Sequence, residues 1–199
     1  PNIIQDNLVF AIDVGSTRSY PGSGTTVSDL EGVNNGTLSN GVGFNTANGG
    51  FLEFDGSDDR LTLTSNVTLG NGNLAWTASA WIKTTNTVSG LGEGPIITND
   101  DASPVYSVMS VNSGKMCYWT YQSSAWAQKL GVATVNDGNW HLLTWVNNTN
   151  YTMDMYVDGV FDKNVANSTS GGNNNIDAIG NSWNSIFDGD IAPVYIYQG

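Results

Sequence analysis

The chain predicts an all-β fold in which two antiparallel sheets pack face to face, and three observations carry the prediction. No stretch sustains apolar residues at i, i+3, i+4 and i+7 over three turns, as an amphipathic helix would. Short runs of alternating polarity recur instead, bounded by Gly, Asn, Asp and Ser. Two such runs, 153–157 and 160–161, are joined by Asp158-Gly159 alone, a pair that tolerates positive φ at both central positions of a tight hairpin. Antiparallel hairpins without intervening helices bury their apolar faces as a sandwich.

Taken in order, the strand candidates are 8–13, 51–54, 60–63, 75–83, 96–98, 105–111, 115–121, 125–130, 140–147, 152–157, 160–165, 177–179 and 191–197. Ser113-Gly114 turns the chain between the runs at 105–111 and 115–121. Alternation in 140–146 places Trp140, Leu142, Thr144 and Val146 on one face and His141, Leu143 and Trp145 on the other. Both faces are largely apolar. That suits a central strand covered on each side, or one whose second face is a partly open groove. The Asn- and Gly-rich stretches 32–48 and 168–175 read as loops.

Composition narrows the function classes. The 199 residues hold six Lys plus Arg against eighteen Asp plus Glu, for a formal charge of −12. Six scattered cations cannot form the basic stripe that phosphate neutralisation needs, so nucleic acid is excluded as a partner, and anionic membrane surfaces are disfavoured. No window approaches the roughly 18 consecutive apolar residues of a membrane span, so no membrane insertion is expected. Aromatics at 11% separate the chain from disordered sequences, and no linker divides it, so one domain over 1–199 is expected. Cys117 is the only cysteine, which removes an intramolecular disulfide and any Cys-based zinc site. The start carries neither a basic n-region nor a cleavage site, which reads as a small protein made in a cytoplasm or as an excised domain.

Four segments together resemble the concanavalin A-like lectin/glucanase superfamily, in its laminin-G-like branch. The first is Leu8-Val-Phe-Ala-Ile-Asp13 with Ser19-Tyr-Pro-Gly-Ser-Gly-Thr-Thr26, Asp29-Leu30 and Asn34-Asn-Gly-Thr-Leu38. The second is Phe51-Leu-Glu-Phe-Asp-Gly-Ser-Asp-Asp-Arg-Leu61, and the third Ala78-Ser-Ala-Trp-Ile-Lys83. The fourth runs from Trp140-His141 through Met155-Tyr-Val-Asp-Gly-Val160 to Ile179-Gly180, Phe187-Asp-Gly-Asp-Ile191 and Val194-Tyr-Ile-Tyr197. The resemblance implies a two-sheet antiparallel jelly roll. Its opening segment is similar to domains on bacteriophage virion and tail proteins and on marine bacterial surface proteins, with Val27 where an aromatic is usual and Glu31 replacing a small polar residue.

The superfamily's hydrolases carry a Glu-x-Asp-x-x-Glu strand whose carboxyls supply the nucleophile or base and the acid. Glu53-Phe-Asp55 is the nearest approach here, but alternation turns Leu52 and Phe54 inward and leaves the two acids to solvent. His141 is the only histidine, so a His-based metal site is excluded, and without a nucleophile elbow it reads as packed or hydrogen-bonded in the core. A lyase would need a Tyr/His/Arg set. Calcium, which the resemblance permits near the loop edge, is expected at Asp58-Asp59, at Asn99-Asp100-Asp101 or at Asp188-Gly-Asp190; none has EF-hand spacing, and Asp is also an ordinary turn residue. Five Asn-x-Ser/Thr sequons, at Asn35, Asn66, Asn147, Asn150 and Asn167, arise readily in so Asn- and Thr-rich a chain.

Among the aromatics, alternation puts Trp119 and Tyr121 on one face and Tyr118 on the other. Trp119, Tyr121, Trp126 and Trp183 are the candidates for an exposed sugar-binding patch, while Trp76, Trp81, Trp140 and Trp145 are expected to pack. The expectation is a non-enzymatic, lectin-like recognition or adhesion module that binds host or environmental glycans. Its expected setting is a virion surface, with a bacterial cell surface or an extracellular protein as the alternative. A purely structural virion decoration protein, homo-oligomeric or bound to other virion subunits, is the competing reading, and a polysaccharide hydrolase or lyase is the third.

Overall fold

In the computed structural model, the described residues are 3–70, 73–87, 94–99, 107–122, 125–166, 174–182 and 185–199. They form the strands β1 (Leu8–Ile12), β2 (Thr26–Val27), β3 (Gly36–Ser39), β4 (Gly43–Asn45), β5 (Phe51–Asp55), β6 (Arg60–Gly70), β7 (Trp76–Lys83), β8 (Gly94–Thr98) and β9 (Ser107–Asn112). The chain continues through β10 (Lys115–Gln122), β11 (Ala125–Thr134), β12 (Trp140–Asn147), β13 (Thr152–Val157), β14 (Val160–Ala166), β15 (Asn174–Ile179), β16 (Asn181–Ser182), β17 (Ser185–Ile186) and β18 (Asp188–Gln198). Among the described residues the only helical turn is a 3-10 turn at Ala47–Gly49, and no helix is long and apolar enough to cross a membrane.

The strands build two antiparallel eight-stranded sheets. The first has the order β14-β13-β12-β7-β18-β5-β4, with β1 also paired to β18; the second has the order β11-β10-β9-β8-β15-β6-β3-β2. This is the expected all-β, two-sheet antiparallel jelly-roll sandwich. Both tight hairpins form as read. Asp158 and Gly159 take φ 54° and 76°, Ser113 and Gly114 take 52° and 71°, and each pair matches the strand twist that a two-residue turn requires.

Inward-facing residues of both sheets share one core, in which Trp76, Trp145, Tyr118, Phe10 and Phe187 are the largest fully buried side chains. Trp145, on the first sheet, reaches across it and donates its Nε1–H to the carbonyl of Cys117 on the second at 3.1 Å. Burial of Trp76 and Trp145 agrees with their expected packing role.

The stretch 32–48 is corrected. It contains β3 and β4, which pair with β6 and β5. These strands are four and three residues long, with one large apolar residue each, Leu38 and Phe44, so their definition comes from the partner's ladder rather than from their own pattern. Residues 168–173 of the second expected loop lie outside the described residues, and 174–175 belong to β15.

Candidate functional site

Alternation along β7 generates the site. Ala78, Ala80 and Ile82 have 0% exposure and face the core, so Thr77, Ser79 and Trp81 project from the outer face of the first sheet. In neighbouring β12, Leu143 and Trp145 take the core side, leaving Trp140, Leu142, Thr144 and Val146 half-buried outside. Leu142 stands opposite Trp81 in the ladder. Trp81 is 38% exposed. Phe51 packs against the Trp140 ring edge to face, with centroids 5.3 Å apart and planes at 67°, and so holds that indole in place. On the other flank β18 loses register between Ile191 and Val194, where Ala192 and Pro193 bulge. A proline has no N–H for the ladder and is accommodated at such a bulge.

Two loops close the rim. A Cβ on Gly15 would lie 1.5 Å from the Gly49 carbonyl oxygen, and one on Gly50 would lie 2.6 Å from the Gly15 Cα. The backbones touch where only hydrogens fit, which fixes the loops carrying Asp13 and Asn48 against each other. Together these elements form an open groove of about 410 Å³ lined by Asp13, Asn48, Gly49, Gly50, Trp81, Trp140, Ala192 and Pro193. Its size and its few polar groups on an apolar wall are those of a small-ligand site.

Among the described residues, no cation lines the groove. Asp13 is its one charged lining residue, and its Oδ1 accepts the Gly15 N–H at 3.1 Å. Burial, reinforced by the charge on Asp13, pushes the nearby Tyr195 hydroxyl up to about 12, so it stays a protonated donor over the ordinary pH range. Lys83, opposite Trp140, is held by Asp190 at 3.4 Å. Burial raises the Asp190 pKa, the Lys83 ammonium lowers it, and the Glu53 charge raises it again, for a net rise. The Trp140 indole N–H is buried and meets no acceptor among the described residues.

The structure rearranges the expected site residues. Trp119 is only 7% exposed and packs with Val108, Cys117 and Leu130, so little of its ring is open to a ligand. Tyr121 and Trp126 face each other in the β10–β11 ladder, but their side chains lie outside the described residues, as does Trp183. Trp81, expected to pack, is instead exposed, while Trp140 packs on Phe51 as expected yet keeps an edge in the groove, so that the two form its aromatic wall. The available signal was the two apolar faces of 140–146, which left room for a groove on one of them.

Among the acids, Asp58 and Asp59 fall in one cluster, and its third member is Asp55 rather than an acid from another motif. The three carboxyls each place an oxygen within 4.8 Å of the others. Asp59 is 2% exposed; its Oδ2 accepts the Asp55 N–H at 3.0 Å, and its buried Oδ1 has no partner. Burial and then the charges of Asp55 and Asp58 outweigh that hydrogen bond and raise the Asp59 pKa. Asp188 accepts an Asn86 amide N–H and Asp190 the Lys83 ammonium, so neither joins the cluster. Asp100 and Asp101 lie outside the described residues. This oxygen set, one carboxyl buried and two exposed, is of the kind a hard cation uses.

Leu52 and Phe54 are each 3% exposed while Glu53 and Asp55 face solvent, as alternation predicted. His141 is hydrogen-bonded but not in the core, a correction to its expected place. Its Nδ1 lies 2.8 Å from Asp158 Oδ2 and its Nε2 3.1 Å from Asp137 Oδ1, so both ring nitrogens face carboxylates and neither faces a nucleophile.

A family match to the concanavalin A-like lectin/glucanases superfamily covers residues 55–199. Comparison with curated proteins finds no match. Among solved structures, domain 4 of AbnA, a GH43 extracellular arabinanase from Geobacillus stearothermophilus, solved with arabinotriose, is similar at a TM-score of 0.69 and 19% identity. The likeness covers 97% of this chain and 93% of that one. The binding domain of Paraclostridial Mosquitocidal Protein 1 has a TM-score of 0.68 and 15% identity over 96% of this chain and 49% of its own. The botulinum neurotoxin serotype D binding domain has a TM-score of 0.68 and 15% identity over 99% and 48%. The chain therefore spans about half the length of either toxin domain. Two of these neighbours are toxin binding domains and the third is a domain of an arabinanase, and at such identities they speak to fold. By fold and by the match over 55–199, the chain belongs to the concanavalin A-like lectin/glucanases superfamily.

Proposed function

We propose that this protein is a non-enzymatic glycan-recognition module whose groove between Trp81 and Trp140 takes an uncharged saccharide. The observation that carries the reading is an open, indole-walled groove with one carboxylate, neighbouring hydroxyls and no cation. Indole faces attract the apolar CH faces of sugar rings, and Asp13 with Asn48 stands where ring hydroxyls need partners. A chain of charge −12 repels acidic polysaccharides, which favours neutral ones. The neighbour solved with arabinotriose supports a saccharide as the ligand class. Display on a virion surface is supported by the opening segment around Ser19-Tyr20-Pro21 and its resemblance to phage virion domains.

Calcium enters this reading at Asp55, Asp58 and Asp59, supported by the partnerless Asp59 Oδ1 beside two exposed carboxyls. Saturating calcium at about a hundred times its Kd would add roughly 2.7 kcal/mol of stability. A melting curve taken in calcium and then in chelator reads this directly. A Tm unchanged by calcium removes the metal from the proposal.

A glycan array, read with wild type and Trp81→Ala, tests the recognition role. Saturable binding to neutral glycans, lost in the variant at unchanged Tm, is the expected result; no glycan bound overturns it. The competing reading, a subunit held only by protein contacts, draws on the exposed Val132, Val160 and Phe161, at 61%, 69% and 55% exposure, on strands β11 and β14. It requires a defined oligomer by light scattering together with a silent array.

A further inference from the structure

The outer face of β12, β7 and β18 is laddered in three rungs. Leu142 and Trp81 form the first, beside the Ala192–Pro193 bulge; Thr144, Ser79 and Tyr195 form the second; Val146, Thr77 and Tyr197 form the third. At the third rung lies another open cavity, of about 280 Å³, whose lining includes Thr77, Val146, Asn148, Tyr197, Asp6 and Asn7. From Thr77 to Trp81 is four residues of one strand, about 13 Å at the usual rise. The middle rung sets two small side chains, Ser79 and Thr144, beside Tyr195. Ser79, Thr144 and Tyr195 are all half-buried, and among the described residues no hydrogen bond occupies the side-chain oxygens of Ser79 or Thr144. The Thr77, Val146 and Tyr197 side of this second cavity, the Trp81 groove and the floor between them therefore lie on one face and one strand direction, with hydroxyls along the floor and phenol rings along one side.

We infer that the two cavities are the ends of a single trough and that its ligand is an internal stretch of a linear, neutral oligosaccharide lying along β7, rather than one terminal sugar. This rests on the glycan reading and adds the ligand's length and course. A single ring fills the Trp81–Trp140 groove only. A chain running from there meets the Ser79 and Thr144 hydroxyls and then the Tyr197 ring, with Asn148 and Asn7 as amide partners at the far end. Three features of the site agree with this. The floor residues are small, which leaves depth for a chain. The wall residues are aromatic at both ends, which lets rings rest at each. No cation interrupts the path, which suits a neutral polymer.

The test is calorimetric titration of the full chain with ladders of cello-, laminari-, manno- and arabino-oligosaccharides, from disaccharide to hexasaccharide. At least one ladder is expected to gain about tenfold or more in affinity with length. Ser79→Trp, which plugs the middle rung on an outward-facing position, is expected to abolish that gain; Tyr197→Ala is expected to reduce it in part. Melting curves of both variants exclude unfolding. Affinity that is flat with length and insensitive to Ser79→Trp, but lost in Trp81→Ala, overturns the trough and leaves the groove proposal standing. No binding to any ladder overturns both.

Discussion

Trp81, Asp29 and His141 each tie one side chain to one measurable property. The Trp81 ring is 38% exposed on an outward position, so removing it changes the groove and not the core. Trp81→Ala is expected to weaken glycan affinity by about 2 kcal/mol or more, the range of a buried aromatic anchor, with Tm nearly unchanged. Asp29 is the opposite case. It is 3% exposed, and its carboxylate accepts the N–H groups of Ala11, Glu31, Val33 and Asn34 between 2.9 and 3.3 Å. Asp29→Ala strands these donors and is expected to cost about 3 kcal/mol, a fall in Tm of roughly 5–10 °C by calorimetry. His141 supplies a pH dependence. Burial lowers its pKa, but hydrogen bonds to Asp158 and Asp137 more than offset this and leave it above 6.5. A raised basic group contributes stability that is fully present below pH 6.5 and lost as pH rises through the folded value. Asp137 works at the other end: the N–H of Asn139, then its side chain and His141, lower its pKa from 3.8 to about 2, so its contribution is lost as pH falls through that window. Tm measured against pH is expected to decline as pH rises from 6.5 through the raised folded value in the wild type, and to flatten over that range in His141→Gln.

The elements show how the sandwich closes its sides. The edge strand of the first sheet, β14, adjoins the edge strand of the second, β11. Asp162 accepts the N–H groups of Val132 and Ala133, each at 2.8 Å, and Lys163 donates to the Leu130 carbonyl at 2.8 Å. Ladder groups at the Leu130–Ala133 end of β11 are thus answered by side chains from the other sheet, which denies that stretch to a second chain. Asp162→Ala is expected to cost about 1–3 kcal/mol and to produce concentration-dependent association in light scattering; a variant that stays monomeric would show that the latch does not guard the edge. Hairpins of this kind were legible in the sequence because Asp158-Gly159 and Ser113-Gly114 carry their turn conformation in their own residue types. The small strands β3 and β4 were not legible. Gly36-Thr-Leu-Ser39 and Gly43-Phe-Asn45 have little preference of their own and become strands because β6 and β5 present ladders to them.

Across the whole molecule, the groove draws on positions 13, 48–50, 81, 140 and 192–193, which the chain separates widely and the first sheet brings together. A formal charge of −12 surrounds it, so raising ionic strength is expected to leave binding of neutral oligosaccharides unchanged and to relieve repulsion of acidic ones. Titrating one neutral and one uronic acid-containing oligosaccharide at low and high salt checks this. Residue types and their period determined the all-β class, the two tight hairpins, the outward acids of β5 and the lack of a basic surface, because each of these depends on neighbours in the chain. Which tryptophans are open was decided only by tertiary structure. Trp119 and Trp81 both alternate out of their own sheet's core, yet one packs with Val108, Cys117 and Leu130 while the other borders a groove. Alternation sets the face a side chain takes. What covers that face is set by segments distant in sequence, such as the bulge at Ala192–Pro193 and the contact of Gly15 with Gly49 and Gly50, and no local pattern encodes their meeting.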